Sequence, residues 1–334
     1  MRARFLAPLA LTALAAACSG GGGTSSAPVA PIAGPVIPAT ATFPLSITVP
    51  ARPSSSSARA PRFVSPGTAS VVVYEGTTVL YVGNLTIAAT PQFTTVFAKT
   101  GTTAVTAGTC AAGSGTSACT LTIVTTIGAH TYDVVTYPLS QGGQAQSAGR
   151  TPSDVGTLPS SYRGVILSEG ELSVTLSPGT NPGQTITLLG VASQATFVGP
   201  VLTQHLNGNG PLVGIIGTQY TFGYSINDSS GSQIIQPGNY DNGPVTIAET
   251  DGGGIVTMTA VSQTTPPATT GNQSFTVTCA ANGTATFTAA AQNKPNATYV
   301  SGLTYTSANY SSGTLGTTTL QCVPNSATLP ITVQ

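Results

Sequence analysis

Residues 273–279 read QSFTVTC, and this stretch shows the pattern that decides the fold. Phe275, Val277 and Cys279 alternate with hydroxyl-bearing residues, so an extended chain places the apolar side chains on one face. The same period of two recurs after residue 62 in short runs that turn residues separate, among them ASVVVY (69–74), ACTLTIV (118–124), HTYDVVTY (130–137), ELSVTL (171–176) and TATFTAAA (284–291). This spacing is typical of antiparallel sandwiches, and the sequence therefore predicts an all-β protein.

The charge content excludes several classes of protein. Only 5% of the 334 residues are charged, and nine Lys and Arg stand against nine Asp and Glu, so the formal net charge is zero. Coiled coils and long solvent-exposed helices need many more charged residues than this. Nucleic-acid binding needs a basic surface that displaces counterions from phosphates. We therefore expect neither a coiled coil nor a nucleic-acid partner.

The first seventeen residues predict a signal peptide. Arg2 and Arg4 form a basic start, and an apolar run follows from Phe5 to Ala17. A positive start, a short hydrophobic region and small residues at the cleavage site are the pattern of a secretory signal. The run is shorter than the roughly 20 residues that span a bilayer, and no later run is long enough. We therefore expect an exported chain without a transmembrane helix.

Residues 14–23, LAAACSGGGG, resemble the lipobox of bacterial lipoproteins. In that family the cysteine receives a diacylglycerol, the chain is cut before it, and the new amino end is acylated, for example with palmitate. The resemblance implies that Cys18 carries a lipid anchor in a membrane, and Ser19 resembles the residue that directs such proteins to the outer membrane. Ala15 departs from the Leu that usually stands three positions before the cysteine. The alternative is an ordinary signal peptide in which Cys18 has no such role.

The remaining chain divides into a tether and two bodies. Residues 18–62 are rich in Gly, Pro and Ser, which predicts a lipid-bearing, disordered tether. The β-patterned part that follows is long enough for two domains of immunoglobulin size. Residues 199–212, GPVLTQHLNGNGPL, interrupt the alternation and place the boundary there. The prediction is two tandem immunoglobulin-like antiparallel β-sandwich domains, residues 63–200 and residues 201–334.

The cysteine count agrees with this division. If Cys18 of the five cysteines is lipidated, two remain in each predicted domain. An even number in an exported chain argues for disulfides, and four cysteines allow three pairings. The domain division favours Cys110–Cys119 across a short loop and Cys279–Cys322 across a core. Alternation places both cysteines of the second pair on the inward face of their strands.

Residues 58–76, ARAPRFVSPGTASVVVYEG, resemble the opening of an immunoglobulin-like module found in uncharacterised bacterial surface lipoproteins. In these proteins the segment R-x-P-R-[FY]-V-S-P-x-T-x-S follows the tether. Residues 119–191 are similar to the rest of that module, so the resemblance covers about residues 58–198. It implies export and a β-sandwich, and it brings no catalytic residues. Antibody-type domains have a buried Trp beside their bridge, which this Trp-free chain lacks.

No catalytic constellation emerges from the sequence. The chain has no G-x-S-x-G elbow, and His130 and Asp133 fall on opposite faces of one strand, so they do not form a nucleophile-activating pair. Glu169 and Glu171 share a face as a glycosidase pair might, but we expect both to be exposed to solvent. The sequence therefore predicts a protein that is not an enzyme and that needs no cofactor.

Three aspartates are candidates for a calcium site. They lie in turn-like loops rich in oxygen donors, within INDSSGSQ (226–233), GNYDNGP (238–244) and ETDGGG (249–254). The spacing of a calcium-binding EF-hand loop is absent, and Asp beside Gly also makes ordinary β-turns. Ordinary turns are therefore the favoured interpretation, with no metal, and the candidates for the alternative are Asp228, Asp241 and Asp251.

Four tyrosines near loops of the second predicted domain are candidates for ligand contact. Sandwich proteins that bind glycans often use exposed aromatic rings, whereas Tyr also fills cores and strand edges. The candidates are Tyr240, Tyr299, Tyr305 and Tyr310. The leading hypothesis is a non-enzymatic, lipid-anchored surface or periplasmic protein that serves adhesion, protein contact or structural spacing. The alternative is a lipoprotein that binds a carbohydrate or another ligand through these loops.

Overall fold

The computed structural model describes residues 40–50, 64–76, 78–86, 90–98, 108–112, 116–141, 164–200, 204–206, 212–250, 253–299, 303, 305–307, 309–311, 313–325 and 331–333. The regular secondary structure in these ranges consists of β-strands, which are Thr40–Pro50 (β1), Ser70–Glu75 (β2), Thr78–Leu85 (β3), Phe93–Ala98 (β4), Thr109–Ala112 (β5), Thr116–Thr126 (β6), Gly128–Tyr137 (β7), Ser168–Leu176 (β8), Gly179–Thr180 (β9), Gln184–Thr185 (β10), Leu189–Gly190 (β11), Gln194–Val198 (β12), Gln204–Leu206 (β13), Leu212–Ile215 (β14), Gln219–Asn227 (β15), Val245–Glu249 (β16), Val256–Met258 (β17), Val261–Gln263 (β18), Gln273–Cys279 (β19), Gly283–Ala290 (β20), Thr314–Val323 (β21) and Ile331–Val333 (β22). Within the same ranges, no helix has the length and hydropathy that crossing a membrane requires.

The strands form four sheets. Sheet 1 has the order β10-β1-β6-β5, with β9 also paired to β1, and sheet 2 has the order β11-β8-β7-β2-β3-β4. Sheet 3 has the order β12-β15-β19-β17, and sheet 4 has the order β18-β16-β20-β21-β14-β13-β22. Antiparallel pairs dominate, while β14 runs parallel to β21 and β1 runs parallel to β9 and β10. The predicted all-β class is confirmed.

Sheets 1 and 2, the first sheet pair, share one hydrophobic core. Apolar residues at every second position of β1 and β6 face those of β2 and β7, as the sequence alternation predicts. The rings of Phe43 and Tyr132 lie 5.5 Å apart across this core. Its larger members include Phe43, Leu45, Val73, Leu121 and Tyr132.

Sheets 3 and 4, the second sheet pair, enclose a core centred on three phenylalanines. Phe222 and Phe275 from sheet 3 stack with ring centroids 5.3 Å apart. Phe287 from sheet 4 lies 5.4 Å from Phe222 and 5.6 Å from Phe275. Such aromatic contacts add about 0.5–1.5 kcal/mol each to the burial of the rings.

Strand β1 corrects the tether prediction. Alternate residues from Ala41 to Val49 are buried in the first core, and all eleven positions of β1 pair with β6. Pro44 has no N–H to donate, and it lies between the short contacts of β1 with β9 and β10, where the ladder loses little. Residues 1–39 and 51–63, which include the predicted signal peptide and Cys18, lie outside the described residues.

Strand β12 corrects the predicted boundary between the two bodies. The sequence analysis assigns residues 63–200 to the first domain, yet β12 pairs with β15 over five positions, from Gln194↔Asn227 to Val198↔Gly223. Ala192 is buried in the second core, whereas Leu188 is buried in the first. The chain therefore passes from the first sheet pair to the second around Val191, before β12 rather than after it.

The two sheet pairs meet in a third buried cluster, which we call the joint. On the outer face of sheet 2, alternate residues of β2 and β7 are covered rather than solvated. The cover comes from the segment that precedes β21, where Tyr310 is buried and Leu303 and Tyr305 pack against the cluster. The amide of Ile166 donates to the carbonyl oxygen of Asn309 at 2.8 Å. The joint thus contains apolar contacts and backbone hydrogen bonds from both sheet pairs.

Both predicted disulfides are present. Cys110 and Cys119 are directly opposite each other on β5 and β6, with nine residues of sequence separation. Cys279 on β19 and Cys322 on β21 are 43 residues apart in sequence and buried in the second core. The second bridge therefore joins the two sheets of its pair, whereas the first staples two strands of one sheet.

We expect the two bridges to differ in their contribution to stability. Replacing Cys279 and Cys322 together with Ala should lower the free energy of unfolding by about 4 kcal/mol, because the longer closed loop restricts the unfolded chain more. The matched double variant of Cys110 and Cys119 should lose about 2–3 kcal/mol. Urea denaturation of both variants under one set of conditions measures the difference. A larger loss for the short loop would contradict this account.

Candidate functional site

The most unusual chemical group in the structure is a set of buried acids and tyrosines at the joint. Buried carboxyl groups are rare in proteins unless they are paired. Asp133 and Glu169 project from the outer face of sheet 2, and Asp241 belongs to the loop before β16. We call this set the acid–tyrosine cluster, and its members are Asp133, Glu169, Asp241, Tyr299, Tyr305 and Tyr310.

The register of sheet 2 explains how two acids come to be buried. Residues directly opposite each other on paired strands share a face, and Val135 on β7 lies opposite Glu169 on β8. Asp133 is two residues from Val135 and shares that face. This face is the one that the joint covers, so Glu169 is 0% exposed and Asp133 1% exposed. Glu171, one step further along the same face, is exposed.

Hydrogen bonds hold both the backbone and the side chain of Asp241. Its N–H donates to the carbonyl oxygen of Gly190 at 2.9 Å, and its own carbonyl oxygen accepts from the amide of Asn296 at 2.8 Å. The hydroxyl of Tyr299 donates to Oδ1, and that of Tyr310 donates to Oδ2, each at 2.5 Å. Both carboxylate oxygens of Asp241 are therefore occupied by phenol donors.

The neighbouring Asn242 ties the same loop to the chain between the sheet pairs. Its Oδ1 accepts from the amide of Ala192 at 2.9 Å, and its Nδ2 donates to the carbonyl oxygen of Ala192 at 2.8 Å. Asn242 is fully buried, so these bonds replace those that water would otherwise make. The loop that carries Asp241 is thereby fastened to the crossover from the first sheet pair.

Glu169 is less completely satisfied than Asp241. The hydroxyl of Tyr305 donates to Oε1 of Glu169 at 2.8 Å. Oε2 is buried and has no hydrogen-bond partner among the described residues. Tyr305 in turn packs edge-to-face on Tyr310, with ring centroids 5.2 Å apart. The tyrosine segment before β21 thus contacts the acids of both sheet pairs.

Burial dominates the acid–base properties of the cluster. It raises the pKa of Glu169 well above its usual range, and the negative charges of Asp241 and Asp133 raise it further against the lowering effect of the Tyr305 hydrogen bond. Burial raises the pKa of Asp241 from 3.8 to about 6, although the hydrogen bonds from Tyr299 and Tyr310 act in the opposite direction. The pKa values of the three tyrosines are also raised by burial and then by Asp241 or Glu169, so their hydroxyls remain donors at neutral pH.

The predicted ligand-contact tyrosines do not form an exposed platform. Tyr240 is 1% exposed in the second core, and Tyr310 is 0% exposed in the joint. Tyr299 and Tyr305 are half-buried, with hydroxyls that donate to Asp241 and Glu169. The structure corrects the expectation because the loop before β16 buries Tyr240 in the second core, and the other three tyrosines turn towards buried carboxylates of the joint. Their hydrogen bonds serve the protein's own carboxylates.

The two calcium candidates in the described part of the chain, Asp228 and Asp241, make different contacts. Oδ1 of Asp228 accepts from the amides of Ser230 and Ser232 at 2.8 and 3.1 Å and from the hydroxyl of Ser230 at 2.6 Å, which is an ordinary side-chain-capped turn. Asp241 is bonded to tyrosines, and Asp251 lies outside the described residues. In the part of the chain that the structure describes, no three His, Cys, Asp or Glu residues group in a metal-binding arrangement.

His130 is paired with residues other than Asp133, as expected for two residues on opposite faces of one strand. Its Nδ1 contacts Oε1 of Glu75, and its Nε2 donates to the carbonyl oxygen of Thr126 at 2.9 Å. The structure also corrects the expectation for Glu169, which is buried rather than exposed, while its neighbour Glu171 is exposed as expected. The two glutamates therefore do not flank an open cleft together.

A cleft opens between the two sheet pairs beside the joint. Its enclosed volume is about 30 Å³, which is room for about one water molecule, and the space beside it is open to solvent. The first sheet pair contributes an apolar wall, and loops of the second pair contribute apolar and amide groups. Lining residues include Val64, Pro66, Leu188, Gln233, Ile235 and Asn239. The cleft is uncharged apart from Asp228, whose Oδ1 already accepts hydrogen bonds within its turn.

Comparison of the chain with models of known protein families and with curated proteins found no match. The site is therefore interpreted from its own geometry. Sequence reasoning missed the acid–tyrosine cluster because it treated Glu169 as solvent-exposed. The usable signal was the run HTYDVVTY, in which Val135 and Tyr137 make the second face of β7 as apolar as the first and so indicate burial on both sides.

The tyrosine bonds to Asp241 can be tested with a matched pair of variants. Tyr310→Phe removes the donor to Oδ2 of a buried carboxyl group, and we expect the free energy of unfolding at pH 7 to fall by about 1–3 kcal/mol. Tyr240→Phe is the control, because its ring is also buried but its hydroxyl has no partner among the described residues. We expect that variant to stay within about 0.5 kcal/mol of the wild type. Equal losses in urea denaturation would argue against a special role for Tyr310.

Proposed function

We propose that the protein is an exported, lipid-anchored, non-enzymatic lipoprotein of the cell surface or periplasm. In this proposal it presents two immunoglobulin-like β-sandwiches as one rigid body for adhesion, protein contact or structural spacing. The observation that carries the proposal is the joint, since a shared third core and a clamped crossover favour a fixed arrangement over a hinge. Residues 14–23 supply the proposed anchor at Cys18.

The disulfides support the proposed location outside the cytoplasm. Two bridges indicate an oxidising, extracytoplasmic environment, because thiols in the cytosol are kept reduced. A tether that ends in several acyl chains would hold such a protein at a membrane, because stable anchoring needs two or more chains. The outer membrane is the proposed location, because Ser19 resembles the residue that directs lipoproteins to that membrane.

The rigidity of the joint supports a spacing or presenting role. Domain interfaces that allow motion are small and polar. Here the outer face of sheet 2 is buried under Tyr310 and its neighbours, and Asn242 makes two hydrogen bonds to Ala192 at the crossover. Each buried hydrogen bond of this kind costs free energy to break without replacement. A body of this construction would transmit position and force from its anchor to its far end.

Lipidation is tested by labelling cells with a palmitate analogue. The wild-type chain and a Ser19→Ala control should incorporate the label and fractionate with membranes, because both keep the thiol that accepts the lipid. Cys18→Ala should lose the label and leave the membrane fraction. An unlabelled wild type, or a Cys18→Ala variant that fractionates as the wild type does, would refute the proposed anchor.

Ligand binding is the second candidate function, and the cleft between the sheet pairs is the observation that favours it. The cleft is too small to enclose a sugar ring, so its amide-bearing walls suit a surface contact with the edge of a neutral glycan. We expect the full chain to bind a neutral oligosaccharide on a glycan array if this function is correct. Asn239→Ala, at the cleft, should lower that signal at least several-fold, whereas Asn272→Ala, on an exposed turn outside the cleft lining, should not. A silent array would leave the contact or spacing role as the better proposal.

A further inference from the structure

The acid–tyrosine cluster brings carboxyl groups from both sheet pairs into one dry place. Glu169 and Asp133 come from sheet 2, and Asp241 comes from the second sheet pair. Tyr305 donates to Glu169, and Tyr310 donates to Asp241, while the two rings touch each other. The carboxyl groups are therefore linked through the tyrosine segment that covers the joint.

In the described part of the chain, the hydrogen-bond donors to the carboxylate oxygens of Glu169 and Asp241 are tyrosine hydroxyls. Of the nine Lys and Arg residues, only Lys294 lies in that part, and it is exposed. The tyrosines donate hydrogen bonds but carry no positive charge. Burying two ionised carboxylates that repel each other is strongly unfavourable, and such groups bind protons more tightly. The unpartnered, buried Oε2 of Glu169 is a position where a proton can reside.

We propose that a proton held by the Glu169–Asp241 pair locks the two sheet pairs together, and that losing this proton loosens the joint. In the locked form one of the two acids is neutral, and the cluster carries one negative charge less. In the loosened form two ionised carboxylates repel each other in the joint and draw water towards it. The cluster thus couples external pH to the rigidity of the whole body.

The phenols around the pair do not compete with it for protons at moderate pH. Strand β7 contributes Asp133 and Tyr137, and the segment before β21 contributes Tyr305 and Tyr310. Tyr74 on β2 and Tyr299 complete the surroundings. The pKa values of Tyr137, Tyr299, Tyr305 and Tyr310 are all raised by burial, so these phenols stay neutral while carboxyl groups titrate.

The direction of the pH effect follows from the raised pKa values. A carboxyl group that binds protons more tightly in the folded protein stabilises it fully below the unfolded pKa, and this stabilisation is lost as pH rises through the folded pKa. For Asp241 the window runs from about 3.8 to about 6, and for Glu169 it begins at 4.5 and extends well above that value. Within such a window the folding equilibrium constant falls about tenfold per pH unit for each group.

The experiment is urea denaturation of the full chain in detergent at pH 5 and pH 8. We expect the folding equilibrium constant of the wild type to fall at least tenfold between these pH values. Glu171→Gln is the matched control, since Glu171 lies two residues further on the same strand face but is exposed, and it should fall as the wild type does. Glu169→Gln should show a clearly smaller fall, because the amide cannot ionise. An equal fall of the folding equilibrium constant in all three proteins would overturn the proposal.

A second measurement locates the effect at the joint. The amide of Ile166 donates across the joint to Asn309, so its hydrogen-exchange protection, corrected for intrinsic pH dependence, reports opening. Protection should drop at pH 8 in the wild type and in Glu171→Gln but be retained in Glu169→Gln. If Glu169→Gln does not accumulate, Asp241→Asn takes its place with the same expectation. Full recovery of the wild type at pH 8 on adding calcium or sodium would assign neutralisation to a cation and overturn the proton lock.

Discussion

The burial of the outer face of sheet 2 is the constraint on which the rest of the structure depends. Antiparallel sheets commonly keep one face in water, yet β2 is apolar on both faces, with Val71 and Val73 in the first core and Val72 and Tyr74 in the joint. Left exposed, the second face would be a contiguous apolar patch of the kind that drives association. The tyrosine segment before β21 covers it, and the two sheet pairs become one body as a result.

That cover has a cost, because Asp133 and Glu169 lie on the same face as the apolar residues. In the described part of the chain, tyrosine hydroxyls donate to the carboxylates of Glu169 and Asp241. A phenol donates a strong hydrogen bond to a carboxylate and contributes apolar area at the same time, but it adds no positive charge. The arrangement suits a chain with few charged residues, and it leaves a negative charge that proton binding would reduce.

The sequence predicts which side chains share a strand face better than it predicts which side chains are exposed to solvent. Alternation in QSFTVTC and TTTLQCV correctly placed Cys279 and Cys322 inward, and their pairing followed. The same rule correctly separated His130 from Asp133, and the apolar second face of β7 indicates burial. It could not show what covers that face, because the cover comes from residues about 170 positions later in the chain. Local pattern carries no information about such a distant partner.

Two further differences between the sequence prediction and the structure have local causes. Strand β1 alternates as regularly as any other strand, but Pro44 and the surrounding Pro-rich and Ser-rich residues resemble a linker. The proline is tolerated because the strand's second neighbours, β9 and β10, pair only on either side of it. The domain boundary was placed at the longest interruption in the alternation, whereas the chain crosses between sheet pairs in the short interval between β11 and β12.

The joint also explains how a chain with so few charged residues can be held together. Weakly charged surfaces gain little from salt bridges, so stability has to come from burial and from covalent links. The two disulfides restrict the unfolded chain within each sheet pair, and neither of them crosses the joint. Cohesion between the pairs therefore rests on noncovalent contacts, among them the third core, the Asn242 clamp and the acid–tyrosine cluster. Of these three, the cluster is the one built from titratable groups, so a change in pH acts on the joint through it.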